Sequence, residues 1–527
     1  MSDAPSSYDV QLFPIPPNET AGLPRCGAGG APVGLCLSGG GSRALTAGMG
    51  QMRALEALGV LDRLSYISSV SGGTWAASAF TYLPAQISDD DFLGPVVEPQ
   101  DIQTSTLGNL PPNNLGQVPT QLSAVHIIED ILKLKEHYKY PDHYLWQGII
   151  GKYVLQPFGL WNQDFPGGFP DSFYSCDPAA VKAIVDRNPD LAGTKFYLVE
   201  RPRPTLIMNG CIVSKPGVDG SQLLPFESTQ LDLGVRMTFL GIGPEGRTIG
   251  GGMMESFAMG SAWQQDLPDG YAQVSVPSRP FSLSDMASIS SAAFAETFQA
   301  KLPFLDPLDP KYQYWPIAGR QSTQPFGYLF ADGGSLENTG VASMLSRGVP
   351  NVIACVNSQT PLSMEDGEIV LDPQIPLLFG LAPSKKKLRL DEPQREPVPN
   401  QDASFTQVFP SDRYDEVAHG LWNANNPNGA GGPAIYLQTL ETQANPNFGV
   451  KSYPVRVLWV YNTAVKAWYD LLQPAVQKVV DKTPNFPNYN TIHQLDLSAS
   501  EVNLLADLAC WGLMSQSTQV RALFTEG

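Results

Sequence analysis

The chain has 527 residues, 43% of them hydrophobic, and sets 33 Lys and Arg against 51 Asp and Glu for a net charge of −18. That length calls for a large domain with insertions or for two domains, with the hydrophobic share of an ordinary globular protein. A field this negative repels nucleic acid and excludes a general attraction to anionic membranes, so any membrane contact must be local.

Residues 1–31, rich in Pro, Gly and Ala, read as an irregular lead-in whose start has neither the basic nor the apolar region of a secretion signal. "PVGLCLS" (32–38) reads as a buried strand, "GGGSR" as a turn, and "RALTAGMGQMRALEALGVLD" as a helix ending near Gly59. "LSYISSV" (64–70) is a second strand, Ser71-Gly72-Gly73 a turn and "TWAASAFTYL" a second helix. This alternation predicts a mostly parallel sheet covered by helices. Residues 82–195, with amphipathic candidates "AVHIIEDILKLKEHY" and "LWQGIIGKYVLQPF", read as an insertion covering the core. Strands return at 203–214 and 236–243, "DMASISSAAFAETF" (285–298) reads as one helix of small residues, and 328–359 as strand, turn, helix, strand. "YPVRVLWVYNT" is a late strand, a helix interrupted by Pro474 follows, and Ser498 three residues before Glu501 has capping-box spacing.

Six cysteines are scattered singly, without a CxxC pair, and several lie in apolar runs; buried free thiols are expected, with neither a zinc site nor a disulfide framework. No stretch approaches about 18 uninterrupted apolar residues. A cytoplasmic protein, possessing no metal and no cofactor, is the resulting expectation. Asp89-Asp90-Asp91 is read as a solvated loop rather than a calcium site.

Three constellations carry chemistry. "SGGGSR", Ser38 to Arg43, joins a strand to a helix, so that backbone N–H groups can face a phosphate or an oxyanion; a tight turn is the plain alternative. The P-loop lysine is missing, which removes nucleotide phosphate. "SVSGG" (69–73) places Ser71 on a strand-to-helix elbow, where the N–H of Gly72 can donate to an oxyanion; alone, it reads equally as a glycine-softened turn. Both turns leave one edge of a parallel sheet, one αβ unit apart, so the glycine loop can serve an oxyanion forming at Ser71. For a base, Asp332 follows the apolar run "YLFA" and precedes Gly333-Gly334, either as partner of Ser71 or as a helix cap. An aspartate of pKa near ~4 acts as base at pH 7 only through a short, aligned hydrogen bond. None of the five histidines follows a strand in a glycine-punctuated turn.

With "LSGGGSRA", "SVSGGTW" and "ADGGSLEN" in this order, the chain resembles the patatin-like and cytosolic phospholipase A2-like acyl hydrolases, the phospholipase branch more closely through "RPTLIMNGCIV", "GGGMMESFAMGSAW" and the closing "FPNYNTIHQLDLSASEVNLLADLA". The resemblance implies a three-layer α/β/α fold with a mixed or mainly parallel central sheet and a cap-like insertion at about 82–195, all within 32–527. It implies Ser71 as nucleophile and Asp332 as sole partner, with Gly39, Gly40 and Gly41 joining Gly72 in the oxyanion hole. Arg43 takes either the substrate phosphate or a structural ion pair. Ser42 stands where the family often has an aromatic residue, and Ser69 where it has glycine.

The expected activity is cleavage of a fatty-acyl ester of a phospholipid or lysophospholipid, with transacylation if an alcohol replaces water. About thirty residues ahead of the core leave no room for a calcium-binding targeting domain, so calcium independence is expected. "IPLLFGLAPSKKKLRL" (375–390) combines an apolar run with Lys385, Lys386, Lys387 and Arg389, either a peripheral membrane contact or a solvated loop beside a buried segment. The competing readings are a lipid-binding scaffold that lost turnover and a Ser-His-Asp esterase using His419 or His493.

Overall fold

Among the described residues, fourteen strands form one mixed sheet. In chain order they are β1 (Ser7–Pro14), β2 (Ala31–Leu37), β3 (Leu64–Val70), β4 (Thr205–Val213), β5 (Leu223–Ser228), β6 (Asp232–Gly234) and β7 (Gly252–Glu255), then β8 (Trp263–Asp266), β9 (Tyr271–Ser275), β10 (Lys311–Tyr314), β11 (Phe326–Asp332), β12 (Asn351–Val356), β13 (Ile435–Glu441) and β14 (Pro454–Tyr461). Their spatial order is β8-β9-β1-β7-β6-β5-β4-β3-β2-β12-β14-β13, with β11 also on β4 and β10 on β11. This computed structural model describes residues 7–15, 25–26, 31–162, 172–218, 221–322, 325–382, 403–426, 429–492 and 494–525.

The centre, β4-β3-β2-β12-β14, is parallel, and the flanks are antiparallel. Parallel central strands need cover on both faces, and their side chains alternate accordingly. Leu35, Leu37, Ile353 and Leu458 join one apolar cluster; Cys36, Val352, Ala354 and Trp459 join the other. The first face carries helices α1 (Gly41–Ala57), α2 (Gly72–Thr81), α3 (Ala124–Glu136), α4 (Leu145–Ile150), α5 (Leu283–Ser290) and α6 (Ala293–Gln299); α7 (Tyr414–Asn425) covers the second, and α8 (Ala499–Ser515) lies over α1. The result is the expected α/β/α layering around a mixed sheet.

Helix α1 is buried on nearly all sides because α8 presses on its outer face. A methyl group on Gly50 would lie 2.1 Å from the Ala506 carbonyl oxygen, so the two backbones touch. Buried Arg53 donates to Asp507 at 2.8 Å and to the Leu93 carbonyl at 2.8 Å. The capping box opens α8 as its spacing predicts, Ser498 N–H donating to Glu501 and Glu501 N–H to Ser498 Oγ. The small-residue helix read over 285–298 is two helices, α5 and α6, broken at Ser291-Ala292. The strand read at 236–243 shrinks to Thr238–Phe239.

Three expectations change, and a reading left open is narrowed. Residues 1–31 are not all irregular: β1 alternates buried Tyr8, Val10 and Leu12 with partly exposed residues and pairs with both β7 and β9. Two cysteines are not free thiols. Cys26 is disulfide-bonded to Cys176, tying the segment before β2 to the 82–195 region, whereas Cys36, Cys211, Cys355 and Cys510 are buried thiols. Asp89 is not in a solvated loop but opens a short helix, Asp89–Leu93, half-buried against Arg201 and Arg203. In the 375–390 run, Ile375, Leu378 and Phe379 are core residues of the second cluster, while Lys385, Lys386, Lys387 and Arg389 lie outside the described residues. Burial and membrane insertion demand the same apolar run, and here burial takes it. Among the described residues no helix is long and apolar enough to cross a membrane.

The disulfide spans 150 residues, and a cross-link over so long a loop restricts the unfolded chain. Replacing both Cys26 and Cys176 with alanine is expected to lower unfolding free energy by about 2–4 kcal/mol, read from denaturant unfolding. Non-reducing peptide mapping of native protein should return the Cys26–Cys176 pair and four free thiols. Six free thiols would instead fit a reducing compartment.

Candidate active site

The site is built on one edge of β4. Strand β3 pairs in parallel with its first half, Val70 opposite Asn209, and β11 pairs antiparallel with its second half, Asp332 opposite Gly210. Strand β5 holds the other edge throughout 208–213. Therefore β3 and β11 lie end to end on the same edge, running toward each other, and their carboxyl ends meet between Asn209 and Gly210. The sequence reading put Asp332 at the carboxyl end of a strand, but not on one antiparallel to its neighbour.

Ser71 follows β3 at φ 52° and ψ −122°, a conformation non-glycine residues rarely adopt, and stands at the N-cap position of α2 with its side chain free of the helix. Its Oγ–H donates to Asp332 Oδ2 at 3.2 Å. The other carboxylate oxygen accepts the Gly334 N–H at 2.8 Å, and Oδ2 also accepts the Ala293 N–H, the first of α6, at 3.3 Å. Both residues are nearly sealed, Ser71 3% and Asp332 4% exposed. Asp332 thus caps the turn after β11 and bonds Ser71 at once, so the two readings of that residue are one arrangement.

The glycine loop lies directly against the elbow. A methyl group on Gly39 would sit 2.9 Å from Ser71 Cβ; on Gly72, 2.0 Å from the Gly41 carbonyl oxygen; on Gly73, 2.4 Å from the Leu37 carbonyl oxygen. Backbone packs on backbone with no room for a side chain. Gly40 (φ 133°) and Gly41 (φ 56°) turn the loop into α1 through conformations that suit glycine. Gly39, expected as an oxyanion donor, spends its N–H on the Asn338 carbonyl at 3.0 Å. Among the described residues no acceptor meets the N–H of Gly40, Gly41 or Gly72. These three sit at the N-termini of α1 and α2, where helix dipoles favour negative charge.

Arg43 is 4% exposed; its Nε donates to the Asn357 carbonyl at 2.8 Å and its Nη1 to the Tyr489 carbonyl. These bonds brace the glycine loop against 357 and 489. Thr491 adds a bond to the Gly40 carbonyl at 2.5 Å. Ser69 fits the elbow and also anchors it, its hydroxyl donating to the Ile207 carbonyl at 3.2 Å and accepting from Thr74 at 3.1 Å. Ser42 is buried and its hydroxyl has no partner among the described residues. Glu337, buried behind the Asp332 turn, is pushed above the usual carboxylate range by desolvation, against bonds from Thr339 and Ala342 that pull it down.

Sequence reasoning missed the roof. Phe294 of α6 stands over Gly41, with ring centres 5.5 Å from Trp75 and 5.9 Å from Trp146. Both indole N–H groups donate to Ser291 Oγ, at 3.0 and 3.4 Å. The motif "SGGTW" held one of these residues; nothing in the spacing points to Phe294, Ser291 or the Ala293 N–H. His419 lies on the exposed side of α7, its ring bonded to the Asp415 carbonyl of its own helix, and His493 lies outside the described residues.

No protein-family model matches the chain. Curated relatives match locally: human cytosolic phospholipase A2 beta is 37% identical over 92 residues, 17% of this chain and 12% of that protein. Human cytosolic phospholipase A2 delta is 42% identical over 64 residues, 12% of this chain and 8% of that protein. The matched segments thus span about a tenth of the relatives' length. Among solved structures, human GIVD cytosolic phospholipase A2 superposes with a TM-score of 0.46 at 14% identity, covering 93% of this chain and 59% of that one. A structure of that protein in complex with methyl gamma-linolenyl fluorophosphonate gives 0.42 at 12% identity, covering 93% and 58%. The chain resembles the cytosolic phospholipases A2, in agreement with its three glycine-rich motifs.

The tight seat of Gly72 has a measurable consequence. Gly72→Ala is expected to cost about 1–3 kcal/mol of unfolding free energy, as overpacking does. Gly108→Ala, with no atom within 4 Å of the added methyl, should stay within about 0.5 kcal/mol of the parent. Equal effects in denaturant unfolding would contradict the backbone-on-backbone contact.

Proposed function

We propose that the protein is a serine acyl hydrolase that cleaves fatty-acyl esters of phospholipids or lysophospholipids through Ser71 and Asp332. The observation that carries the reading is the 3.2 Å hydrogen bond from a strained serine at a helix N-terminus to a carboxylate at the junction of two opposed strands. Ser71 Oγ attacks the acyl carbonyl as its proton passes to Asp332 Oδ2. The tetrahedral oxyanion is held by the N–H groups of Gly40, Gly41 and Gly72. Asp332 returns the proton to the leaving alcohol, leaving an acyl-serine. It then takes a proton from water, whose attack releases the fatty acid and restores Ser71. The Ala293 and Gly334 N–H groups orient the carboxylate so that Oδ2 faces the hydroxyl. With Ser71 and Asp332 nearly sealed, ester entry requires α6 and its Phe294 to move. The likeness to cytosolic phospholipases A2 supports the lipid substrate class.

Fatty-acid release from mixed phospholipid and lysophospholipid vesicles tests the reading. Ser71→Ala should lower the rate by at least about a thousandfold, and Asp332→Asn by about 10²–10⁴-fold, the range for a general base. His419→Ala should leave it unchanged. Equal release by wild type and Ser71→Ala would overturn the assignment, and a loss in His419→Ala would favour a histidine-based triad.

A further inference from the structure

The elbow's conformation needs a cause outside the "SVSGG" segment, and α5 provides one. Strand β3 leaves the ladder after Val70, paired with Asn209. The next donor, the Ser71 N–H, and the Asn209 carbonyl do not bond each other. Ser290 Oγ stands between them: it accepts the Ser71 N–H at 2.9 Å and donates to the Asn209 carbonyl at 2.6 Å. One hydroxyl can donate once and accept twice, so both bonds stand together, and the Thr74 hydroxyl lies 2.8 Å from the same oxygen. Ser290 is fully buried. Helix α5 comes this close because β4 has glycine at 210, where a methyl group would lie 2.6 Å from Ile289 Cγ2. The Asn209 carbonyl also lies against the turn that follows Asp332, since a methyl group on Gly333 would lie 2.5 Å from it. The Asn209 side chain donates to the Ser69 carbonyl at 2.9 Å and Ser68 Oγ at 3.0 Å, fixing the same junction from the β3 side.

We propose that Ser290 is a positioning residue for the nucleophile: its hydroxyl replaces the rung of the sheet ladder that would otherwise draw Ser71 into extended conformation, and so keeps Ser71 Oγ turned toward Asp332. Without it, the Ser71 N–H and Asn209 carbonyl are left to seek each other, which extends the elbow and carries Oγ away from the carboxylate. This rests on the reading of Ser71 as nucleophile, but the hydrogen bond itself can be read without catalysis.

The test compares wild type, Ser290→Ala, Ser290→Thr and Ser290→Cys by four measurements: thermal unfolding, the rate of labelling by a fluorophosphonate, steady-state kinetics of fatty-acid release, and hydrogen exchange at the Ser71 amide. Ser290→Ala is expected to stay folded, to label at least about tenfold more slowly, to lose kcat with little change in KM, and to exchange the Ser71 amide faster. Ser290→Thr, which keeps the hydroxyl, should recover labelling to within about threefold of wild type. Should Ser290→Ala not fold, Ser290→Cys, close in size but a weaker donor and acceptor, must show the slowed labelling and faster exchange. Wild-type labelling and wild-type exchange in a folded Ser290→Ala or Ser290→Cys variant overturn the proposal. If wild type itself does not label, the catalytic reading fails, and unchanged Ser71 exchange in the variants overturns the positioning role independently.

Discussion

The site depends on a shared edge: β3 and β11 divide one side of β4 between them and run into each other at Asn209-Gly210. Ordinary ladder hydrogen bonding fixes both registers, so the positions of Ser71 and Asp332 relative to each other follow from the sheet rather than from a flexible loop. Two residues 261 apart in sequence meet within hydrogen-bonding distance for this reason. A one-residue slip of β11 would turn Asp332 to the opposite face of the sheet. The long return of the chain through β5 to β10 lets β11 arrive antiparallel and complete the edge that β3 leaves open.

Around this junction the chain is organised to bring backbone close to backbone. The three-glycine loop and the Ser71-Gly72-Gly73 elbow contact each other, and the Gly333-Gly334 turn packs on Asn209 and Asn338, at distances that exclude even a methyl group. The N–H groups of Gly40, Gly41 and Gly72 meet no acceptor among the described residues, while Gly39 is tied back to Asn338. Such preorganisation is what electrostatic stabilisation of an oxyanion requires, because no reorientation is needed as charge develops. Phe294 of α6 packs with Trp75 and Trp146 beside Gly41. The same helix supplies the Ala293 N–H that bonds Asp332, so the aromatic cluster and the carboxylate share α6.

Much of this was legible in the sequence where the cause is local. Three glycine-rich turns next to apolar strands reveal the loop, the elbow and Asp332, since only glycine tolerates those backbone conformations and contacts. The α1 and α2 helices, the parallel centre and the Ser498 capping box follow from periodicity and short-range signals. What stayed hidden has its cause in the fold. A serine in "SISSA" carries no sign that it will replace a sheet rung, and two cysteines 150 residues apart carry no sign of pairing. The alternation of Tyr8, Val10 and Leu12 was present but lay in a Pro- and Gly-rich segment. Arg43 follows the glycine loop as in phospholipases, yet its bonds go to carbonyls that only the folded chain places there.

The central claim is that Ser71 attacks an acyl carbonyl whose oxygen faces the Gly40, Gly41 and Gly72 amides. A crystal structure of the protein after reaction with a lipid fluorophosphonate tests it most directly, because the phosphoryl oxygen stands in for the oxyanion. The account predicts a covalent bond to Ser71 Oγ, the phosphoryl oxygen about 3 Å from at least two of those N–H groups, and Phe294 displaced from above Gly41. An adduct on another residue, or a phosphoryl oxygen turned away from all three amides, would contradict it.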